Sequence, residues 1–279
     1  MVQLLFISSS GVHISTTMWS LVVSSVLSAL CLFGSTWSQR MSNPVSNFQI
    51  SAMAALAQGF PVDRVMAGRI PSCDDGKTNL TLDWDGSSKE YTCLEFPFTT
   101  PQQVVAAASC GPTPPQALHF CMTDQIHYTD VPPTSGNHRP TWPTYGEYRY
   151  IPPQRWLHSL EHGAVVMLYH PCADAAEVDK LRAVVTGCLR RYIITPYDKL
   201  PKQAPLALLT WGCLLTLSQA DEKSAKDFIQ ARGINFGAEQ VEQDGDFTDQ
   251  LIKQSVVVPG SDMKDSHLCP TAHGSKLAM

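Results

Sequence analysis

Five side chains in the middle of the chain could together bind a metal ion: His127, His138, His158, Glu161 and His162. Imidazole nitrogens are common protein ligands of zinc, copper, nickel and iron. If residues 158–162 are helical, His158 and His162 lie on one face of the helix with Glu161 beside them. His138 would then reach the ion from a loop. The spacing therefore allows a transition-metal site, for Zn or Cu, in which His138, His158 and His162 would be the ligands and Glu161 or His127 would assist.

The string from His158 to His162 also fits the H-x-x-E-H pattern of inverted zinc peptidases, in which the glutamate is the general base for a zinc-bound water. That motif needs a helix of several turns, whereas Gly163 and an apolar run follow at once. We therefore do not predict a peptidase. The sequence also has no glycine-rich phosphate loop and no G-x-S-x-G nucleophile elbow, so no other enzyme class is favoured.

A purely structural interpretation of the same histidines is favoured over a metal site. They lie near Trp142, Tyr145, Tyr148 and Trp156. In a proline-rich segment packed over a sheet, an imidazole can simply hydrogen-bond to backbone carbonyls, and Glu161 can cap or pair locally. Under this interpretation the segment is a packing device or a contact surface, and it binds no metal.

The elements that would position these residues indicate an α+β domain over residues 119–236. A loop from Pro112 to Pro153 carries aromatic residues and histidines in place of aliphatic ones. Apolar runs and capping signals after it predict the order strand, helix, strand, strand, helix, with strands over 164–169, 189–197 and 206–217 and helices over 174–187 and 221–232. This order predicts a small mixed sheet with two or three packed helices and one long loop rich in Pro, His and aromatics.

The flanks of this domain are predicted to be less regular. Residues 39–118 are expected to hold short helices, over 43–59 and 100–111, and a β-hairpin over 78–96 that turns at Asp85-Gly86. Residues 237–279 form a polar C-terminal tail, which we expect to be mobile.

Short motifs in the second half resemble those of a known bacterial family. They are His127-Tyr128, Pro132 to Gly136 with His138, Tyr145-Gly146 with Tyr148, His158 to Gly163, Leu168-Tyr169, Ile194 to Tyr197, Thr210-Trp211-Gly212 and Phe228-Ile229. Over about residues 119–236 the chain resembles the bacterial domain of unknown function numbered 3105. It is also similar, especially over Leu168 to Cys172, to an animal membrane protein named as inducible by the tumour suppressor p53. The resemblance implies export or membrane anchoring and no established activity.

The N-terminal residues predict a signal peptide over residues 1–38. No Asp, Glu, Lys or Arg precedes Arg40, and the apolar run from Trp19 to Gly34 is followed by small residues. That run is shorter than the about 20 residues that a membrane-spanning helix needs. Because no basic residue precedes it, an uncleaved N-terminal anchor remains the alternative. With cleavage, no second apolar span follows, so no stable membrane span is expected.

Cleavage leaves an even number of cysteines, which predicts disulfides in a secreted chain. The eight are Cys73, Cys93, Cys110, Cys121, Cys172, Cys188, Cys213 and Cys269. A helix between Cys172 and Cys188 would hold those two too far apart to bond to each other. Folding strand 189–197 back on strand 206–217 predicts a Cys188–Cys213 bridge, with buried free thiols as the alternative. The sequon at Asn79 predicts N-glycosylation in the same compartment.

Composition limits the class of partner. Hydrophobic residues make up 44% and charged residues 16% of the chain, which is typical of a packed domain. The net charge is −5 with no massed basic residues, so we predict no nucleic-acid partner. The sequence predicts a secreted, disulfide-stabilised, non-enzymatic protein that binds an extracellular protein or matrix partner. The alternative is an extracellular metal-binding protein or metalloenzyme using His138, His158 and His162.

Overall fold

A seven-stranded mixed sheet lies at the centre of the part of the chain that this computed structural model describes, residues 72–239, 241 and 243–271. Its strands are β1 (Ala106–Cys110), β2 (Gly146–Tyr148), β3 (Val165–Tyr169), β4 (Tyr192–Pro196), β5 (Leu206–Thr210), β6 (Cys213–Leu217) and β7 (Leu251–Gln254). The order across the sheet is β1-β6-β5-β3-β4-β2-β7. The predicted signal peptide over 1–38 and the predicted helix over 43–59 lie outside the described residues.

Strand β3 is central, because it pairs in parallel with β4 on one side and antiparallel with β5 on the other. Successive side chains of a strand point to opposite faces, so a central strand that is buried on both faces is apolar throughout. The three α-helices within the described residues cover both faces of the sheet; they are α1 (Pro153–Glu161), α2 (Ala175–Cys188) and α3 (Glu222–Arg232). The α+β class, the mixed sheet and its disulfide stabilisation are therefore confirmed.

The two faces of the sheet have different helical cover. Helices α2 and α3 pack on the face that carries Val165 and Met167, where Leu181 and Phe228 join the apolar cluster. Helix α1 packs on the opposite face together with the proline-rich loop, and Trp156 contributes to that core. None of the helices within the described part of the chain is both long and apolar enough to cross a lipid bilayer.

Local signals define both ends of helix α1. Pro152 precedes it and Pro153 occupies the first helical position, where a missing N–H is not needed. Gly163 ends it in the left-handed conformation, at φ 82°. The Gly163 N–H donates to the Leu160 carbonyl and the next N–H donates to the Ser159 carbonyl, both at 2.9 Å, which is the Schellman arrangement. Helix α1 thus ends directly after the predicted ligands His158 and Glu161.

We expect Gly163→Ala to lower the free energy of unfolding by at least about 2 kcal/mol. A non-glycine residue in the left-handed region costs roughly 1–2 kcal/mol. In addition, an added Cβ would lie 2.3 Å from the carbonyl oxygen of Ile234, so the backbone must move. Urea denaturation measures the change. Gly187→Ala is the control: nothing lies within 4 Å of its added Cβ, and alanine in a helix should stabilise by about 0.5–1 kcal/mol. Equal stability of the two variants would contradict this explanation.

Four disulfides join the eight predicted cysteines. They are Cys73–Cys121, Cys93–Cys172, Cys110–Cys213 and Cys188–Cys269. The prediction that these cysteines are bonded is confirmed, but the predicted Cys188–Cys213 pair is wrong. That prediction assumed that strands β4 and β5 are neighbours, whereas β3 lies between them and residues 206–217 form the β5–β6 hairpin.

Two predictions for the flanking regions are also wrong. Residues 78–96 form short 3₁₀ turns, Leu80–Leu82 and Ser88–Glu90, instead of a hairpin. The reason is local: Asp75 and Asp85 accept hydrogen bonds from backbone N–H groups of the residues that follow them, which favours turns.

The predicted helix over 100–111 contains strand β1 instead, because pairing with β6 and the Cys110–Cys213 bond override the helix preference of its alanines. The C-terminal tail is not wholly irregular, since strand β7 lies in it and Cys269 bonds to Cys188. Long-range contacts thus decide the structure of strand β1 and of the C-terminal segment that contains β7 and Cys269.

Candidate metal centre

Two extended segments of the proline-rich loop bring His119 and His138 together. His119 and His138 face each other across an isolated parallel bridge. The Phe120 N–H donates to the His138 carbonyl at 2.9 Å, and the His138 N–H donates to the Leu118 carbonyl at 3.1 Å. The next residue, Arg139, donates its N–H to the Gln154 carbonyl at 2.8 Å, which fixes this segment against the first turn of α1.

Helix α1 places two further candidate ligands, His158 and Glu161, beside these histidines. His158 and Glu161 are three residues apart and therefore lie on the same face of the helix. Together with His119 and His138 they form what we call the His3Glu cluster. Its four candidate ligand atoms all lie within 4.8 Å of one another, and all four residues are buried. The predicted ligands His138, His158 and Glu161 are therefore close neighbours.

Two of the distances within the cluster are close to those of a tetrahedral metal site. His138 Nε2 lies 3.0 Å and His119 Nε2 lies 3.7 Å from the Glu161 Oε2 atom. With zinc–nitrogen bonds of about 2.0–2.1 Å, tetrahedral ligand atoms are separated by about 3.3 Å. The rings of His119 and His158 are stacked with their centroids 4.5 Å apart. A central ion would draw the more distant atoms inward.

Backbone carbonyls define which ring nitrogen faces the centre. The Nδ1 atom of His138 lies 2.8 Å from the Gly136 carbonyl, and Nδ1 of His158 lies 2.7 Å from the Arg139 carbonyl. A carbonyl only accepts hydrogen bonds, so each Nδ1 carries a hydrogen, and in the neutral ring Nε2 carries the lone pair. Metal-binding histidines are commonly oriented in this way.

Burial favours the neutral imidazoles that metal binding requires. Burial lowers the pKa of His119, and burial together with the neighbouring imidazoles lowers the pKa of His158 well below its ordinary value. Burial alone would raise the pKa of Glu161, but the imidazoles of His138 and His119 outweigh it and hold that pKa below its ordinary value. The cluster therefore combines an ionised Glu161 carboxylate with two imidazoles, those of His119 and His158, whose burial favours the neutral form.

Buried ion pairs hold the two segments and the helix in place. Arg139 pairs with Asp83, its Nη2 atom 2.5 Å from Oδ1, and also donates to the carbonyls of Phe120, Cys121 and Asp124. Arg155 of helix α1 makes a two-pronged pair with Asp74, at 2.5 and 3.0 Å. Asp74 follows Cys73, whose disulfide to Cys121 lies two residues beyond His119. These links tie the histidine segment to the helix.

Aromatic rings cover the cluster. The Trp142 ring lies 4.8 Å from the rings of both His158 and His162, and the Trp211 ring meets His138 edge-on at 6.3 Å. These aromatic neighbours help to exclude water, and a low local dielectric strengthens any bond between the ligands and a cation.

The structure places two of the predicted site residues elsewhere. His162 caps the end of helix α1, and its candidate ligand atom groups with Glu161 and Glu239. His127 is exposed on a separate cleft and belongs to neither group of candidate ligands found within the described residues. His119 was missed, because its contact with His138 comes from the pairing of two irregular segments, which no local spacing reveals.

Comparison with known families bears on this part of the chain. Residues 119–245 match the family model described as "Protein of unknown function (DUF3105)". The predicted resemblance to this family is thereby supported, and the whole His3Glu cluster lies within the matched residues. No curated protein and no solved structure matches the chain. The similarity to an animal membrane protein stays a prediction.

Proposed function

We propose that this protein is exported and that its His3Glu cluster binds one first-row transition-metal ion, Zn or Cu. The observation that supports this most is the close contact between two buried hydrogen-bond acceptors, His138 Nε2 and the Glu161 carboxylate. With Nδ1 of His138 donating to a carbonyl, its Nε2 lone pair would lie 3.0 Å from a carboxylate oxygen, which also only accepts. A proton on the ring or a cation must stabilise this contact, and a cation satisfies the neighbouring rings as well.

His119 adds an independent argument. Its Nε2 atom is buried and has no hydrogen-bond partner, since the Glu161 oxygen at 3.7 Å is too distant. An unsatisfied buried polar atom costs about 1–3 kcal/mol. Coordination of a metal by this lone pair would remove that cost, whereas the purely structural interpretation leaves it in place.

The number of protein ligands favours metal retention over catalysis at this ion. Four protein ligands complete a tetrahedral shell, whereas catalytic zinc sites keep one position open for water. A structural ion or a carried ion therefore fits this site better than a catalytic one. The non-enzymatic matrix or binding protein is the competing candidate, in which His138 is a protonated partner of Glu161 and no metal is bound.

Metal analysis of protein from secreting cells tests this proposal. We expect about one equivalent of Zn or Cu per chain in the wild type, and a loss of more than about tenfold in His138→Ala and His158→Ala. His267→Ala is the matched control, because His267 is exposed, and it should keep the metal. Circular dichroism checks that each variant folds. If the wild type binds neither ion after reconstitution, or if both cluster variants keep it, the proposal is wrong.

The proposal of export has separate support. Four disulfides are typical of an oxidising compartment, and the sequon asparagine, Asn79, is exposed. We expect the medium of secreting eukaryotic cells to contain a chain that lacks residues 1–38 and that moves faster on a gel after glycosidase treatment. Asn79→Gln should abolish the shift. Retention of an intact N-terminus in a cytosolic, reduced chain would contradict export.

A further inference from the structure

A second group of candidate ligands adjoins the His3Glu cluster. The ligand atoms of Glu161, His162 and Glu239 lie within 4.8 Å of one another. Glu161 belongs to both groups, so its carboxylate stands between them. A carboxylate has two oxygens, and two-metal sites hold their ions about 3.5–4 Å apart. The shared glutamate is therefore positioned as a bridging ligand.

The end of helix α1 holds this second group in place. Glu239 donates its backbone N–H to the Glu161 carbonyl at 3.0 Å, and Ile234 donates to the Gly163 carbonyl at 2.8 Å. The chain between them passes so close that a Cβ on Gly237 would lie 2.3 Å from the Gly163 nitrogen. The segment that carries Glu239 is thus pressed against the helix end, beside His162.

His162 itself has an incomplete environment. Its side chain is 2% exposed, its Nε2 atom lies 3.7 Å from Glu239 Oε2, and its Nδ1 atom has no hydrogen-bond partner. A distance of 3.7 Å is too long for a hydrogen bond but near the separation of two atoms that ligate one ion.

We propose that a second divalent cation binds between Glu161, His162 and Glu239, and that Glu161 bridges it to the first ion. This inference rests on the proposed function, because the bridge needs an ion in the His3Glu cluster. Two carboxylates and one imidazole suit Zn, Mn or Fe(II). The Glu239 side chain is 38% exposed, and three protein ligands leave coordination positions for water. The outer ion therefore exchanges faster and binds more weakly than the inner one.

Titration of the metal-free, disulfide-intact protein with Co(II) tests this arrangement. Visible absorption and calorimetry count the ions, and electron paramagnetic resonance detects magnetic coupling between them. We expect two equivalents in the wild type, the second at least tenfold weaker and coupled to the first. Glu239→Gln and His162→Ala should bind one. Glu222→Gln, which changes an exposed glutamate (69% exposed) on helix α3, is the matched control and should bind two.

Failure of this inference is distinguishable from failure of the proposed function. One equivalent in the wild type that persists in Glu239→Gln and His162→Ala but is lost in His158→Ala overturns the second site and leaves the first. Two uncoupled equivalents that both survive Glu239→Gln and His162→Ala also overturn it. No bound Co(II), Zn or Cu in the wild type overturns both. Two coupled equivalents, reduced to one by either outer variant, establish the dinuclear centre.

Discussion

Arg155→Met is expected to lower the free energy of unfolding by about 3–5 kcal/mol, because it leaves the Asp74 carboxylate buried without its partner. The Asp74 and Arg155 side chains are 0% and 1% exposed. Asp74 also accepts the Thr141 N–H at 3.0 Å, so it cannot turn away to water. Since Arg155 lies on the helix that carries His158, the same variant should weaken metal binding. Urea denaturation and the metal content measure the two effects.

A double variant separates a lost pair from lost packing. Asp74→Leu combined with Arg155→Met removes both charges, and we expect it to be more stable than Arg155→Met alone. Lys223→Met is the control for a solvent-exposed ion pair. The Lys223 side chain is 84% exposed and its partner Asp227 is 60% exposed. This variant should leave the unfolding free energy unchanged within error. Additive losses in the double variant would show that the two charges do not depend on each other.

The sheet centre was predictable because its signals are local. The continuous apolar run of β3 predicts a strand that is buried on both faces. The helices that follow it begin at capping residues and end near glycine. The order of the strands was not predictable in the same way. Nothing in residues 189–217 shows that β3 separates β4 from β5, and the predicted Cys188–Cys213 bond failed on that point.

The candidate site was likewise predictable only where local sequence spacing brings its residues together. His158 and Glu161 share a helix turn, so sequence spacing brings them together, and His138 was predicted to reach them from the loop. The same spacing also predicted His162 as a ligand of this group, whereas it lies beside Glu239. His119 and Glu239 come from segments whose positions depend on backbone pairing and on the close approach of Gly237 to helix α1. Their spacing to the other candidate ligands along the chain shows no periodicity. Only the tertiary contacts show that His119 and Glu239 lie beside the other candidate ligands.

Metal binding should raise the stability of the folded protein by a large amount. An ion that binds only the native state adds about 4 kcal/mol when its free concentration is 1,000 times the dissociation constant. For a domain of roughly 200 residues, each kcal/mol shifts the melting temperature by about 2–4 °C, so saturating Zn should raise it by roughly 10 °C. The disulfides remain closed in both states, so the metal-free protein should still fold. Differential scanning calorimetry with and without a chelator measures the shift.

Variants of the cluster decide whether this shift comes from the proposed centre. His158→Ala removes a ligand whose ring is buried and held by the Arg139 carbonyl, so its melting temperature should be the same with Zn and with chelator. His127→Ala changes an exposed histidine outside both ligand groups and should keep the full shift. A shift of equal size in His158→Ala would place the ion elsewhere. Because unfolded cysteines and histidines also bind Zn, only protein with its disulfides intact gives an interpretable comparison.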